Sequence, residues 1–261
     1  MSDTPMLELR GLDKSFGPVH VLSSVDFQAK AGEVTALVGD NGAGKTTVVK
    51  CIGGIYAADH GEFLFEGKPM AISGPRDAAA MGIEIVYQDL ALCDNLDIVQ
   101  NMFLGRERIS RVRTLDENAM ERLAKDALAS LSVRTVRSVR QVVASLSGGQ
   151  RQTVAIAKSV LWKSKVVILD EPTAALGVAQ TEQVLELVRR LADQGVAVIL
   201  ISHNMLDVLK VADSIAVLYL GRMAAQVRRS DVNQTQIVEL ITAGRSGDIG
   251  LSPAESTGAT V

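Results

Sequence analysis

The sequence is poor in aromatic residues, 3% of 261 positions with a single tryptophan, and it has only two cysteines. Cys51 and Cys93 form no C-x-x-C pair and have no histidine at metal-ligand spacing. That excludes a disulfide framework and a cysteine-held zinc, and two reduced thiols in a cytoplasmic protein is the plain reading. An excess of basic charge is also missing. Lysine and arginine number 27 against 30 acids, a formal charge of −3, so the usual electrostatic footprint of a nucleic-acid binder is absent and no nucleic acid is expected as a partner. Long apolar runs are lacking as well. Val196–Ile201 is among the longest, far short of the roughly 20 residues that cross a bilayer. The start, Met1-Ser2-Asp3-Thr4-Pro5, has neither a basic segment nor an apolar stretch of secretory type. No repeat of solenoid period is visible.

What is present is an ordinary globular composition, 47% apolar and 22% charged, with length for one large α/β domain or two small ones. Leu7–Arg10, Val25–Gln28 and Gly61–Lys68 alternate apolar with polar residues, the pattern of half-buried antiparallel strands. Thr35–Val38, Val166–Leu169 and Val196–Ile201 are apolar on both faces and suit central strands covered by helices. Helical patterns lie beside them, at Lys45–Ile55 and at Val178–Gln194, with Gly195 placed as a C-terminal stop. Strand and helix alternate, which predicts a parallel α/β core. Strand signals fade between Asp94 and Lys165, where Asp116–Val133 puts Met120, Leu123, Ala127, Leu128 and Leu131 on one helical face behind a capping Asp116. Residues at about 90–160 are therefore expected to form a mostly helical insertion. Ile215–Leu220 and Met223–Val227 read as a hairpin about Gly221-Arg222, a helix is expected at 234–243, and 244–261 reads as a disordered tail.

Gly39-Asp40-Asn41-Gly42-Ala43-Gly44-Lys45-Thr46-Thr47 fits G-x-x-x-x-G-K-S/T between an apolar strand and a helix. Glycines let the backbone curl so that several N–H groups face one anion, and the helix start adds partial positive charge. Gly39, Asn41, Gly42, Gly44, Lys45, Thr46 and Thr47 are the expected triphosphate cradle. Lys45 would reach the β- and γ-phosphates and the Thr46 hydroxyl would ligate Mg²⁺. A chance match in a glycine-rich turn is the bland alternative, and the strand-loop-helix setting opposes it.

Val166–Leu169 ends in Asp170-Glu171. Acids often end strands merely to cap the next turn. Beside a phosphate loop, the expected roles are Mg²⁺ ligation for Asp170 and polarisation of the attacking water for Glu171. Pro172 predicts an extended backbone at Glu171.

Leu146-Ser147-Gly148-Gly149-Gln150 precedes an apolar helical stretch, and physically it is a weaker second anion site, without a lysine. With that motif the chain resembles the ABC ATPases over residues 6–243. The resemblance implies an α/β fold: a P-loop NTPase core with an antiparallel β subdomain and an α-helical signature subdomain, in one domain. It implies that Ser147, Gly148, Gly149 and Gln150 meet ATP bound to a second copy in a head-to-tail dimer. It makes Gln88, in Val86-Tyr87-Gln88-Asp89, a coupling residue that shares the metal with Thr46 and Asp170. His203 becomes a switch residue near the γ-phosphate and Phe16 the aromatic that stacks on adenine. Taken singly, Gln88 would be a polar strand end, Phe16 a core aromatic and His203 a solvent-facing strand end. Order and spacing favour the site roles.

One position departs from the family pattern. Ala174-Ala175-Leu176-Gly177 carries glycine where an aspartate is usual, which suggests weaker communication between two ATP sites. The exporter stretch T-x-V-G-E-x-G is replaced by Arg140–Ser145, which favours import, and a maltose-type regulatory extension is not expected after Gly244. Val86–Leu92, Asn101–Glu107, Ala174–Val178 and Ser202–Met205 together resemble the simple-sugar importers of ribose, fructose and xylose type, in which Leu-Gly-Val is usual. The implied partners are a second copy of the chain, transmembrane permease subunits and, indirectly, a periplasmic or extracellular sugar-binding protein. The implied location is the cytoplasmic face of the inner membrane. The alternatives are an importer motor for another solute and a non-transport ABC ATPase. The length opposes the tandem and coiled-coil forms of the latter, and no N-K-x-D guanine-reading motif supports a GTPase.

Overall fold

A computed structural model describes residues 4–111, 113–133 and 135–252. The chain opens with β1 (Leu7–Phe16), β2 (Val19–Ala29) and β3 (Val34–Val38), then α1 (Lys45–Ile52). Next come β4 (His60–Phe65), β5 (Lys68–Met70), α2 (Pro75–Ala80) and β6 (Ile83–Val86). The helical segment holds α3 (Ile98–Phe103), α4 (Glu117–Ser130) and α5 (Gly148–Leu161). The core resumes with β7 (Val166–Asp170), α6 (Val178–Asp193), β8 (Ala197–Ile201) and α7 (Met205–Val211). It closes with β9 (Ser214–Tyr219), β10 (Arg222–Arg228), α8 (Gln234–Ala243), β11 (Arg245–Ser246) and β12 (Ile249–Gly250).

Two sheets organise these elements. One is antiparallel, in the order β2-β1-β4-β5, and the other runs β10-β9-β3-β8-β7-β6 with every pair parallel except β10 with β9. The alternation read in the first strands has the expected cause. Leu7 and Leu9 are buried and face Ala29 and Phe27 across the ladder, while Glu8 and Arg10 between them are not.

The uninterrupted apolar runs have a different cause. In β7, Val167 and Leu169 pack into a core shared with α3 to α6, and Val166 and Ile168 pack into a second core with α1 and the antiparallel sheet. β8 divides likewise, Val198 and Leu200 to one side and Ala197, Ile199 and Ile201 to the other. Each strand is buried on both faces, so each needs apolar residues at every position. A third core joins β3 and β9 to α7 and α8.

The helical segment contains α3, α4 and α5, with Asp116 capping α4 by accepting from the Ala119 N–H at 3.1 Å. It also contains a small hairpin closed by an Ile109–Leu115 bridge. The helix expected over Lys45–Ile55 stops at Ile52, with Gly53 as its C-cap. The tail expectation needs correction. Residues 245–252 are folded: β11 pairs with β12, the Leu251 N–H donates to the Gly244 carbonyl, and Ser246 Oγ donates to Glu239 at 2.5 Å. The Ser- and Gly-rich composition concealed that Ile249 and Leu251 pack on the third core. Residues 253–261 lie outside the described residues. Among the described residues no helix is long and apolar enough to cross a membrane.

The β9–β10 turn, Leu220-Gly221, has positive φ at both residues, 45° and 78°, as tight hairpins prefer. Gly221 ties three elements together. Its N–H donates to the Ala43 carbonyl in the phosphate loop at 3.0 Å, and its carbonyl accepts from the Ser23 N–H of β2 at 2.8 Å. An added Cβ would lie 2.3 Å from the Val21 carbonyl oxygen. Gly221→Ala should lower the melting temperature by roughly 5 °C or more, from left-handed strain together with the clash. Gly177→Ala, where φ is −74° and a Cβ meets nothing within 4 Å, should leave it within about 1 °C. Thermal melts of both variants check the contrast.

Candidate active site

The phosphate loop follows from β3. Gly39 leaves the strand so close to β9 that a Cβ would sit 2.3 Å from the Leu218 carbonyl oxygen, which leaves room only for glycine. Gly44 caps α1 in a left-handed conformation, has no side chain to bond the first-turn N–H groups, and is followed by a first turn without acids. This helix end therefore keeps its donors and its partial positive charge for an anion. Lys45 folds back across the loop, with Nζ donating to the Gly39 carbonyl at 2.8 Å and the Asp40 carbonyl at 2.9 Å. Burial pushes its pKa down, against the opposing pull of Glu171, Asp40 and Asp170.

The parallel register carries Asp170 level with Ile201, and the Glu171 N–H donates to the Ile201 carbonyl at 2.9 Å. The two carboxylates stand at the end of β7, and His203 lies just past the end of β8. Burial raises the Asp170 pKa, neighbouring Glu171 raises it further, and Lys45 and Lys50 oppose the rise. Glu171 Oε2 lies 2.8 Å from His203 Nδ1, with the histidine side chain 74% exposed and the glutamate 15%. Glu171 is not extended, contrary to the expectation drawn from Pro172. Its φ is +50°. The turn that follows its last ladder bond overrides the preference imposed by proline, and the left-handed conformation, which costs about 1–3 kcal/mol, accompanies the carboxylate's approach to His203.

One cleft of about 660 Å³ gathers most of the expected residues, a size that suits a small organic ligand. Gly39, Asn41, Gly42, Gly44, Lys45, Thr46 and Thr47 line one side. Gln88, Asp170, Glu171 and His203 line the rest, together with Val21, Asp40 and Ile201, which the sequence reading did not single out. Val21 lies on β2 and reaches the cleft only through tertiary packing, so no local pattern marks it.

Phe16 is not in that lining. It ends β1 at 40% exposure, edge-on to Tyr56 with ring centroids 5.0 Å apart, and has Lys14 Nζ 5.4 Å from its ring. Tyr56 is a second aromatic that the sequence reading passed over.

Ser147, Gly148, Gly149 and Gln150 also lie outside the cleft, at the start of α5, where Ser147 and Gly148 are exposed and Gly149 is buried. Gln150 Oε1 accepts from the Ser147 N–H at 2.9 Å, and Ser147 Oγ accepts from the Gln150 N–H at 3.4 Å. Gly149 abuts Gln180, where a Cβ would meet the side chain at 3.1 Å. Gly177 is the exposed N-cap of α6 and has no side-chain acceptor of its own.

Chemically, the cleft offers an anion cradle, one lysine, and a carboxylate paired with an imidazole. Among the described residues no three His, Cys, Asp or Glu side chains cluster for a metal ion. Thr46, Gln88 and Asp170 nevertheless present oxygens to the same cleft. Such a sparse oxygen set suits Mg²⁺, which keeps waters and relies on phosphate oxygens.

Comparison with known proteins follows this geometry. The family profile described as ABC transporter matches residues 22–174. The fructose import ATP-binding protein FrcA of Rhizobium meliloti is 44% identical over 251 residues, 94% of this chain and 96% of that protein. The xylose/arabinose import ATP-binding protein XylG of Sulfolobus acidocaldarius is 42% identical, covering 96% of this chain and 98% of its own. The ribose import ATP-binding protein RbsA of Yersinia pestis is 36% identical over 95% of this chain, which spans only 48% of that protein. Among solved structures, a nucleotide-free ATP-binding cassette from an ABC transporter superposes with a TM-score of 0.76 at 25% identity, over 86% of this chain and 91% of its own. The structure of cbiO1 from Clostridium perfringens, part of the ABC transporter complex cbiONQ, gives 0.75 at 27%, over 90% and 93%.

The raised Asp170 pKa carries a consequence for stability. A carboxyl whose folded pKa lies above its unfolded value favours the folded chain while it is protonated, and that advantage is lost as pH rises through the folded pKa. Once ionised, Asp170 is a burden on the fold. Asp170→Asn should raise the melting temperature of the nucleotide-free chain by a few degrees at pH 8, with the gain shrinking toward acid pH. A melt series over pH checks it.

Proposed function

The chain belongs to the ABC transporter family of ATPases, and from that premise we propose that it powers import of a simple sugar of the fructose, ribose or xylose class through a separate membrane permease. The observation that carries the reading is the division of labour on one chain. A single cleft holds the phosphate loop, Asp170, Glu171 and His203, while Ser147 and its helix end stand apart on the surface. Neither half is a finished triphosphate site. The first lacks donors for the far side of the γ-phosphate, and the second lacks a lysine and metal oxygens. A two-fold pair in reverse orientation completes both at once.

In this mechanism Lys45 leaves the Gly39 and Asp40 carbonyls for the β- and γ-phosphates, and the α1 end receives the same anion. Phe16, with Tyr56 edge-on beside it, supplies a face for adenine. The partner copy's signature segment closes over the γ-phosphate from the other side. Glu171, aimed by His203, takes a proton from water as its oxygen bonds to the γ-phosphorus. The bond to the β-phosphate oxygen breaks, leaving ADP and inorganic phosphate. Thr46, Gln88 and Asp170 are the residues that would hold Mg²⁺, whose contribution when bound is to draw charge from the phosphates. Hydrolysis reopens the pair, and the helical segment, reached through Gln88, carries that motion to the permease on the cytoplasmic face of the membrane. A sugar-binding protein on the far side delivers the substrate.

Glu171→Gln should retain ATP binding, form a stable ATP-dependent dimer on gel filtration and lose at least about 100-fold in turnover. A variant that keeps most of its ATPase removes Glu171 from the base role. Lys45→Ala should instead lose nucleotide binding itself, measured by titration calorimetry.

The sugar assignment has its own test, in growth of a deletion strain on single sugars. Loss of growth on a pentose or on fructose, restored by the wild-type chain and not by Glu171→Gln, supports it. Unchanged growth on every simple sugar sinks it.

A further inference from the structure

The segment between α3 and α4 has a composition unlike the rest of the molecule. Residues 104–115 carry Arg106, Arg108, Arg111 and Arg113 against Glu107 alone, a net +3 in a chain whose total is −3. The described residues among them form the small hairpin noted above. The Ser110 N–H donates to the Thr114 carbonyl and the Asp116 N–H to the Arg108 carbonyl, each at 2.8 Å, and the two hydroxyls Ser110 Oγ and Thr114 Oγ1 meet at 2.9 Å.

The base of the hairpin is fixed to the core. Arg106 pairs with Glu84 of β6 at 2.6 Å and lies over the Trp162 ring at 4.9 Å, and Trp162 packs edge-on against Phe103. Beyond that anchor the backbone is held once more, where the Arg108 N–H donates to Met120 Sδ of α4 at 3.5 Å. Among the described residues Arg108, Arg111 and Arg113 have no ion pair. Ile109 and Leu115, directly opposed in the bridge and therefore on one face of it, are 68% and 54% exposed, and Leu104 nearby is 45% exposed.

Free arginines beside exposed aliphatic side chains form an amphipathic surface without a fold-internal purpose. We propose that this hairpin docks on an anionic phospholipid surface, its arginines meeting lipid phosphates while Ile109 and Leu115 enter the headgroup boundary. The charge match is with phosphate, the sign opposite to the tip and the same as that of the chain as a whole. An anionic bilayer therefore attracts this end and repels the remainder, which orients the molecule as well as holding it. Guanidinium groups on long aliphatic stems suit that boundary, since the stem covers apolar surface while the head stays with phosphate. The inference rests on the reading of the chain as a membrane-side motor, but it asks for a contact with lipid that needs no permease.

The experiment is co-sedimentation of the purified full chain with vesicles of phosphatidylcholine, with and without phosphatidylglycerol, at low and high salt. Binding is expected only with the anionic lipid, and to weaken as salt screens it. Each exposed arginine near such a surface contributes roughly fivefold in partitioning, so the triple variant Arg108→Glu, Arg111→Glu, Arg113→Glu should lose on the order of 100-fold or more. Ile109→Ser with Leu115→Ser should weaken binding at both salt concentrations, while melting temperature and ATPase stay at wild-type values for both variants. Absence of vesicle binding by the wild-type chain overturns the proposal, as does equal binding to neutral vesicles or undiminished binding by the triple variant. Loss of permease assembly in the triple variant, with no lipid binding by the wild-type chain, puts an acidic protein face in the lipid's place and also overturns it. None of these outcomes touches the role of Glu171, which turnover tests separately.

Discussion

The parallel register of β7 against β8 is the constraint on which the cleft depends. It sets Asp170 level with Ile201 and continues one bond further, from the Glu171 N–H to the Ile201 carbonyl at 2.9 Å. That bond brings the end of one strand beside the end of the next, so Glu171 and His203, 32 positions apart in sequence, meet at 2.8 Å. A slip of one residue would turn the apolar side chains of β7 to the wrong cores. With Val167 and Leu169 in one core and Val166 and Ile168 in the other, both cores oppose it. Site precision is thus inherited from two-sided burial, where each fully buried aliphatic side chain contributes about 1.5–3 kcal/mol.

The same arrangement concentrates unfavourable electrostatics in one place. Two carboxylates end one strand, burial and mutual repulsion raise the pKa of Asp170, and burial lowers that of Lys45. Lys45 is occupied by backbone carbonyls of its own loop, and Glu171 stands in a left-handed conformation. Burial of the ammonium and of the carboxyl each costs the empty fold something, and both costs are eased by a ligand that brings anionic oxygens to the lysine and a cation to the acids. A site with this balance gains more from its ligand than it contributes to the unliganded fold, the usual relation between stability and function.

How much of this was legible in the sequence varies with how local the information is. The phosphate loop, the two-acid strand end and the Ser147 helix start are contiguous motifs, and the cleft gathers the first two with Gln88 and His203. Doubly buried strands were visible because burial on both faces leaves no polar position in Val166–Leu169. What failed was local inference about conformations fixed by tertiary packing. Pro172 predicted an extended Glu171, and the turn after the Ile201 bond gave φ of +50° instead. Composition predicted disorder after Gly244, yet Ile249 and Leu251 find the third core. Val21 and Tyr56 carry no motif, since their places come from β2 and from the loop after α1. Arg108, Arg111 and Arg113 were hidden inside an acidic average, and it takes the absence of ion pairs around them, among the described residues, to set them apart from Arg106, paired with Glu84, and from Arg140, which is held by Glu121, Asp97 and Glu117.

The helical segment bears on how a change in the cleft could reach the surface. It does not hang from the core by a linker, because Met102, Phe103 and Ile156 share one apolar cluster with Val167 and Leu200 of the central sheet. A polar tie runs in the same direction, from Arg106 to Glu84 of β6 at 2.6 Å. The stretch between Gln88 and that packed body touches it through Leu90 and Leu92. Leu90 and Ala91 both have positive φ, 59° and 45°, a strained pair following a cleft residue. Strain confined to two residues between a ligand-facing glutamine and a rigid packed unit is where a backbone change meets least resistance, since close-packed cores shift as blocks and not by gradual deformation. Movement of Gln88 therefore enters at 90–91 and passes, through Leu90 and Leu92, into the core that α3 to α5 share with the central sheet, and so toward the Ser147 helix end.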